Sequence, residues 1–307
     1  MFRCLLAVSL IVTLLAVLPG CGSSSSSDGP SFSQQVADAG KEPVADVRAK
    51  ALMRIARRQA EAGDDFGAEE TLTLADEACK EIEDAVTRSK VTSILAGEWV
   101  RLGSNSEGKD AARRALAAAA EIEDGQLKAN ALARAARAQV ATKDTDGAVA
   151  TLKQAEELAG QLQQSKDKVS VFTSVATGYA AMDNGQVEAD RVIAVALELA
   201  ATIEDARDRC EAVASVASHQ DAMQQRDAAE KSFDLALQAA QQIEGPWGQT
   251  YAFCDLAESL SKAGFHAKAH KLLKEADKLA FTIPEPDLQS QSTKRVRTLI
   301  GELPQPK

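Results

Sequence analysis

Apolar and polar positions along this chain follow a pattern that repeats about every 40 residues. Within each repeat, apolar residues three and four apart fill two stretches separated by a short polar break, which predicts a pair of amphipathic helices. Each repeat closes on an aliphatic residue, and these residues lie 40, 40, 41, 40 and 40 positions apart: Ile82, Ile122, Leu162, Ile203, Ile243 and Ile283. A fixed period of this length is typical of a solenoid, in which each unit buries its apolar face against its neighbours.

Small residues mark the same places in every repeat. Late in each first predicted helix stands one alanine: Ala56, Ala96, Ala136, Ala176, Ala217 and Ala257. Twelve or thirteen residues later comes another small residue: Ala68, Gly108, Ala148, Ala189, Ala229 and Ala269. Small side chains at fixed spacing let two helix backbones approach closely and cross at one preferred angle. The pattern therefore predicts tightly packed helix pairs.

This order of bulky and small residues resembles the tetratricopeptide repeat over residues 44–283. The family's unit has 34 residues, whereas this one has about 40 and mostly lacks the Trp and Tyr landmarks, so other helical repeats of similar length stay open as alternatives. The resemblance implies an all-α, right-handed superhelical solenoid of about six helix-turn-helix repeats. It also implies that the first helices line a concave face and that this face binds proteins or peptides.

Different sequence flanks the repeats on either side. Pro284 and Pro286 break the last unit, and a final amphipathic helix over 287–302 is expected to cap the solenoid within the segment 284–307. Residues 21–43 are dominated by Ser, Gly, Asp and Pro without periodicity, which predicts a flexible tether.

The first 20 residues have the pattern of a targeting signal. Arg3 precedes an apolar run from Cys4 to Leu18 that is too short to cross a membrane comfortably. The tetrapeptide Leu18-Pro19-Gly20-Cys21 then resembles the lipobox of bacterial lipoproteins. That resemblance implies cleavage before Cys21, lipidation of Cys21, and an exported protein held at a cell-envelope membrane by its lipid. Gly22, where some members have Asp, favours the outer membrane, facing the periplasm. The alternative is a plain signal peptide followed by an accidental Cys.

The overall charge argues against one class of partner. The chain has 35 basic and 45 acidic residues and a formal net charge of −10. An acidic chain gains little from phosphate backbones, so no nucleic-acid partner is expected. Aromatic residues are only 4% of the chain although 45% is hydrophobic, a composition that does not favour an aromatic-lined pocket, and no small-molecule substrate is evident.

Basic residues gather on the predicted concave face of the first three units. They point away from the alanine stripe of each first helix: Lys50, Arg54, Arg57, Lys90, Arg134 and Arg137. The fifth and sixth units offer Glu211, Asp255 and Glu258 instead. Because clustered arginines can hold carboxylates with two hydrogen bonds each, we expect an extended acidic peptide segment to bind here. The alternative is that these charges are ordinary solvated helix faces.

A second series of charges lies near the start of successive first helices: Arg48, Arg88, Lys128, Lys168 and Arg209. Asp84, Asp124 and Asp205 each precede a member of that series by four residues. One interpretation is a helix-start acid with an i,i+4 ion pair. The other is a ladder along one edge that grips an acidic partner.

No motif for catalysis, cofactor binding or metal binding emerges. His266 and His270 are four residues apart, but no third metal ligand is obvious. Cys79, Cys210 and Cys254 stand at small-residue positions of the repeat and are expected in the core, with a Cys210–Cys254 bridge as a minor alternative. The sequence therefore favours a non-catalytic binding scaffold. A structural or self-assembling envelope spacer is the second reading, and an enzyme with an unrecognised site is a third.

Overall fold

The structure, a computed structural model, describes residues 29–305. This part of the chain contains fourteen α-helices and no strand. Their bounds are α1 Phe32–Gly40, α2 Ala45–Glu61, α3 Asp65–Lys80, α4 Ala85–Arg101, α5 Asn105–Ala120, α6 Gly125–Ala141, α7 Thr145–Gln161, α8 Ser165–Ala180, α9 Gln186–Ala201, α10 Ala206–Ala222, α11 Arg226–Gln241, α12 Pro246–Lys262, α13 His266–Ala280 and α14 Pro286–Glu302. The predicted signal peptide at 1–20, Cys21 and the first part of the tether lie outside the described residues.

The helices stack in two layers. We call α2, α4, α6, α8, α10 and α12 the A helices, and the helices that follow each of them, α3 to α13, the B helices. Each A helix packs against its own B helix and against the next A helix, while each B helix also packs against the A helix that follows it. The A helices thus form one continuous layer. The predicted all-α architecture of six helix pairs is confirmed.

The predicted alanine positions form the contact between the layers. All six alanines that end the A-helix pattern are at most 2% exposed. Six alanines of the B helices are fully buried as well: Ala75, Ala115, Ala155, Ala196, Ala236 and Ala276. Because no long side chain separates the helices at these points, their main chains approach closely.

The basic series at the helix starts has a structural role. Arg88 donates from Nη1 to the carbonyl oxygens of Ile82 at 2.7 Å and Glu83 at 2.8 Å, in the turn that follows the preceding B helix. Arg209 makes the same contact with Glu204, at 3.0 Å. Gln249 also does so although it breaks the basic series, and its Nε2 lies 3.0 Å from the carbonyl oxygen of Gln241. These side chains satisfy carbonyls at the end of a B helix or in the turn that follows it, so the interpretation as a ladder for an acidic partner is not needed.

The acids of the same segment do not form the expected i,i+4 pairs. Asp84, Asp124 and Asp205 are N-caps, whose carboxylates accept a hydrogen bond from the backbone N–H three residues on at 2.7, 2.8 and 2.8 Å. The hydrogen bonds from Thr87 and the charge of Arg88 lower the pKa of Asp84. An aspartate just before a helix is the usual N-cap residue. Its carboxylate bonds the backbone N–H of the first turn and is then not available for an ion pair with the basic residue four positions later.

The tether prediction for 21–43 is wrong in its second half, where α1 forms. Val36 and Ala39 pack against the core, and the Arg58 guanidinium lies 5.7 Å from the centre of the Phe32 ring. Arg48 donates to the carbonyl oxygen of Glu42 at 2.7 Å, just as Arg88 does to Ile82. Helix α1 therefore occupies the place of a shortened B helix and caps the N-terminal end of the stack. Nine residues are too few to show a clear period in the sequence.

Helix α14 closes the other end. Val296 is fully buried and Leu299 is 9% exposed, so the predicted apolar stripe covers the last helix pair. His270 is also buried, and its Nε2 lies 3.0 Å from the carbonyl oxygen of Pro304, which fastens the chain that follows α14. The expected capping helix is present at Pro286–Glu302.

The repeat also has a longer period of two units, which the 40-residue pattern does not show. In the first and third units a buried glutamine accepts a hydrogen bond from a threonine of the B helix: Thr71 to Gln59 at 2.7 Å and Thr151 to Gln139 at 2.8 Å. The equivalent positions in the second, fourth and sixth units hold Trp99, Tyr179 and Leu260, which are buried too. The fifth unit has buried Gln220 at this position, so a glutamine alternates with an aromatic or aliphatic residue along the stack.

Substitution of Ala176 tests the close packing of the layers. Ala176 is fully buried between α8 and its neighbours, so Ala176→Leu should lower the free energy of unfolding by about 1–3 kcal/mol through overpacking. Urea denaturation followed by circular dichroism at 222 nm measures this. Ala117→Leu, at an exposed position of α5, is the matched control and should change stability by less than about 0.5 kcal/mol. Equal stabilities of the two variants would contradict the account of close packing.

Candidate functional site

One face of the A layer is open to solvent along the whole stack. Three positions of each A helix, equivalent to 50, 54 and 57, are exposed or half-buried in all six units. We call this surface the A-layer face. In order along the stack it is formed by Lys50, Arg54, Arg57; Lys90, Ile94, Gly97; Asn130, Arg134, Arg137; Ser170, Ser174, Thr177; Glu211, Ser215, Ser218; and Tyr251, Asp255, Glu258. All six basic residues predicted to bind a peptide therefore lie on one continuous surface.

Two of these six have partners within the protein. The Arg57 guanidinium binds the carboxylate of Glu98, a side chain of α4 that is only 6% exposed, and this hydrogen bond raises the pKa of Arg57. Arg101 approaches the same carboxylate at 3.6 Å. Lys50 donates to Asp46 one turn earlier at 2.6 Å. Arg57 thus links α2 to α4, and neither Arg57 nor Lys50 is a free cation awaiting a partner.

Three others are exposed and unpaired. Arg54, Lys90 and Arg137 have no carboxylate within 4.0 Å among residues 29–305, and each projects from a different A helix of the first three units. Their charge is therefore available to a ligand.

Arg134 has the least satisfied side chain of the group. It is half-buried on α6, and its Nη1 is buried without a hydrogen-bond partner among the described residues. Burial, together with the nearby charge of Arg137, lowers its pKa. One turn earlier on α6, Asn130 accepts a hydrogen bond from the Ser174 hydroxyl of α8 at 2.6 Å, so the cross-helix contact there is uncharged. An unpaired buried donor of this kind costs about 1–3 kcal/mol, which a carboxylate ligand would recover.

The centre of the A-layer face is uncharged. Ser174, Thr177 and Ser218 donate their hydroxyl hydrogens to carbonyls of their own helices, at 3.0, 2.9 and 2.9 Å. The fourth and fifth units therefore present small polar side chains where the first and third present arginines.

The expected acidic end of the face is largely neutralised. Lys166 reaches across from α8 to Glu211 at 2.7 Å and to Asp208 at 2.9 Å. Arg295 of α14 binds Asp255 and lies 3.7 Å from Glu258. The sequence alone does not show these pairs because the partners come from neighbouring helices, about 37 to 45 residues away in the chain. The A-layer face therefore has unpaired charge mainly at its basic end, in the first three units.

A cavity of about 760 Å³ lies on the other side of the molecule, between α7 and α9. Its walls hold a closed polar network in which Glu156 accepts hydrogen bonds from the Tyr179 hydroxyl at 2.8 Å and from Arg191 at 2.8 Å, while Arg191 also donates to Glu188 at 2.6 Å. Burial raises the pKa of Tyr179. The turn before α9 is where the 41-residue spacing falls. Since these side chains satisfy one another, the network needs no ligand.

The three cysteines of the described range lie in the core, as predicted. Cys79, Cys210 and Cys254 are buried free thiols, so the Cys210–Cys254 bridge is not formed in this structure. Burial raises the pKa of Cys79 to about 12 and those of Cys210 and Cys254 to about 11. These thiols are therefore almost entirely protonated at neutral pH.

Two further properties concern residues 29–305 alone. No group of three or more His, Cys, Asp or Glu side chains within this range is placed to hold a metal ion. None of the helices built from these residues combines the length and the apolar character needed to cross a membrane.

Comparison with known proteins gives likenesses of shape only. No family model matches the chain, and no curated protein matches it. Ton1535 from Thermococcus onnurineus NA1 is 14% identical, with 86% of this chain and 94% of that chain covered and a TM-score of 0.39. A putative kinesin light chain with TPR-like repeats from Podosopora anserina is 20% identical over 64% of this chain and 96% of that one, with a TM-score of 0.38. A Rap protein complexed with Competence and Sporulation Factor is 13% identical over 88% and 81%, with a TM-score of 0.35. All these scores are low, and the helix-pair architecture rests on the contacts within this chain.

The unpaired donor of Arg134 leads to a prediction about stability. Arg134→Met removes the buried charge and keeps the alkyl stem, so the free energy of unfolding should rise by about 1 kcal/mol. Because burial lowers the pKa of this arginine, its charged form is disfavoured in the folded state, and the gain should persist from acidic to neutral pH. Urea denaturation measures it. Arg137→Met, one turn away and exposed, should be close to neutral. A loss of stability in Arg134→Met would show that the guanidinium is already satisfied.

Proposed function

We propose that this chain is a non-catalytic scaffold of the bacterial cell envelope that binds an acidic segment of a protein or peptide on the A-layer face of its first three units. The observation that carries the proposal is the buried, unpartnered Nη1 of Arg134 beside three unpaired cations on the same surface. A folded protein tolerates such an arrangement more easily if a ligand completes it.

The chemistry of these cations favours carboxylates. An arginine can give two parallel hydrogen bonds to one carboxylate, and such charge-assisted bonds are about twice as strong as neutral ones. Partial burial of Arg134 lowers the local dielectric, so a pair formed there is screened less by salt than one formed at Arg54 or Lys90. Arg54 and Arg137 would guide the segment, and Arg134 would hold it.

The fourth and fifth units, which have no basic residue at these face positions, limit where such a segment binds. Beyond α6 the face has hydroxyl groups that are bonded to their own helices, and beyond α8 its acids are already paired. An acidic segment therefore gains attraction only at the N-terminal half of the stack. Lys50 and Arg57 contribute to the positive potential there although each has an internal partner.

We also propose that the scaffold is exported and anchored through lipid on Cys21. This part rests on the sequence alone, on the apolar run from Cys4 to Leu18 followed by the tetrapeptide that ends at Cys21. Two or three acyl chains would hold the protein stably at a membrane surface without a spanning helix. Ser31, the N-cap of α1, is ten positions after Cys21, so the start of α1 would stay within about 35 Å of the anchor.

Binding of an acidic segment tests the first proposal. The triple variant Arg54→Ser, Arg134→Ser, Arg137→Ser should bind a fluorescein-labelled peptide rich in Asp at least tenfold more weakly than the natural chain, as measured by fluorescence anisotropy. Raising the salt concentration from 50 to 500 mM should weaken binding to the natural chain as well.

The control for this experiment removes the same number of charges elsewhere. Lys109, Lys153 and Lys274 are exposed on B helices and have no ion pair among the described residues, so replacing all three by Ser leaves the A-layer face intact. Equal binding by the two triple variants would show that net charge alone attracts the peptide, and it would contradict the proposed site.

The anchor is tested by Cys21→Ser. The natural chain expressed in a bacterium should incorporate radiolabelled palmitate and sediment with membranes, whereas the variant should do neither because no thiol remains to be acylated. Membrane association that persists in the variant would rule out Cys21 as the anchor.

A further inference from the structure

Gly97 is a glycine that the packing of the protein does not explain. It is the thirteenth of the 17 residues of α4, more than one turn from either end, where glycine weakens a helix. A Cβ atom built on it meets no atom within 4 Å. At Gly108 and Gly178, by contrast, a Cβ would lie 2.9 Å from Val100 Cγ2 and 2.5 Å from Leu152 Cδ2, so close packing requires those glycines.

The other units show what this position usually holds. The equivalents of Gly97 on the A-layer face are Arg57, Arg137, Thr177, Ser218 and Glu258, all with side chains that reach solvent. The second unit alone presents bare main chain there. One turn earlier on the same face is Ile94, which is 41% exposed and whose neighbours in the stack are Arg54 and Arg134.

The second unit thus differs from both of its neighbours. Ile94 and Gly97 form an uncharged strip on α4, with Arg54 and Arg57 on one side and Arg134 and Arg137 on the other. An exposed apolar side chain beside a side-chain-free stretch of helix allows the main chain of a ligand to approach closely and to bury an apolar group.

We propose that the strip Ile94–Gly97 is the contact for the main chain and one apolar side chain of the acidic segment, and that the segment's acidic residues lie on both sides of that apolar residue. This inference rests on the proposed function and specifies its ligand. The main chain of the segment passes over Gly97, its apolar side chain packs on Ile94, and its carboxylates reach Arg54 on one side and Arg134 with Arg137 on the other.

The stacking of the helices sets the spacing in the segment. Axes of packed helices are about 8–10 Å apart, so the rows of α2 and α6 are about 16–20 Å apart across α4. An extended chain advances about 3.3 Å per residue, which places the two acidic positions about five or six residues apart with the apolar residue midway.

Gly97→Leu separates binding from folding. Gly97 is half-buried, and the Cβ of a leucine there meets no atom within 4 Å, so the melting temperature should stay the same or rise, while the rest of the side chain covers the strip. The probe is a synthetic 14-residue fluorescein-labelled peptide with two Asp pairs six residues apart and Leu midway, the other residues being Ser and Thr. We expect Gly97→Leu to bind it at least tenfold more weakly than the natural chain.

The matched control is Gly160→Leu on α7, where a Cβ also meets no atom within 4 Å but the position lies on a B helix. It should bind the peptide as the natural chain does. A second peptide with Ser in place of the central Leu should bind the natural chain about fivefold to tenfold more weakly, and a third with the Asp pairs twelve residues apart should lose a similar amount.

The outcomes distinguish this inference from the proposed function. If Gly97→Leu binds the Leu peptide as well as Gly160→Leu does, while the triple arginine variant binds weakly, the strip is not part of the site but the basic surface is. Equal binding of the Leu and Ser peptides by the natural chain would overturn the apolar contact. If the natural chain binds none of the three peptides at millimolar concentration, both the inference and the proposed function fall.

Discussion

Close approach of A and B helices through alanine is the interaction on which the rest of the molecule depends. At each crossing the alanines are at most 2% exposed, so the dispersion contacts of two helix backbones replace those of long side chains. A stack of this kind tolerates little change in side-chain volume where the helices cross, but considerable change at its exposed positions. That freedom allows the A-layer face to carry arginine, hydroxyl, carboxylate or no side chain at equivalent positions of one regular framework.

Polar contacts then fix how the pairs join. A long side chain at the start of an A helix, such as Arg88 or Gln249, donates to carbonyls in the turn after the preceding B helix or at that helix's end. An aspartate such as Asp84 caps the start of the A helix itself. Buried alanine surfaces alone specify the orientation of neighbouring units weakly, because they have few distinctive shapes. Directional hydrogen bonds at each junction supply the missing specificity, and helix α1 receives the same contact from Arg48 although it is only half a repeat.

Ion pairing between units decides which charges a partner can use. Glu98 of α4 is almost fully buried and binds Arg57 of α2. Arg54, which is also on α2, has no ion-pair partner within residues 29–305. At the far end Lys166 and Arg295 neutralise the acids of the fifth and sixth units. On the A-layer face of the described residues, the unpaired cations thus belong to the first three units and surround the strip at Ile94 and Gly97. The result is a short recognition surface on a long scaffold, and its size is compatible with an extended segment of about six to ten residues.

The amino-acid sequence by itself determined the helix pairs, their number, the alanine crossings and the capping helix at 286–302, because each is a periodic or local signal. It also placed six basic residues on one face, since residues three and four apart share a side of a helix. Only the tertiary structure decided that Arg57 is paired, that Arg134 has a buried unpartnered nitrogen and that Gly97 has open space above it. These properties depend on groups contributed by neighbouring helices, such as Glu98 for Arg57, which are 40 or so residues away in the chain. The sequence did not predict helix α1 for a related reason. It has only nine residues and no fully buried side chain, so it is stabilised by its contact with α2 and shows no periodic pattern of its own.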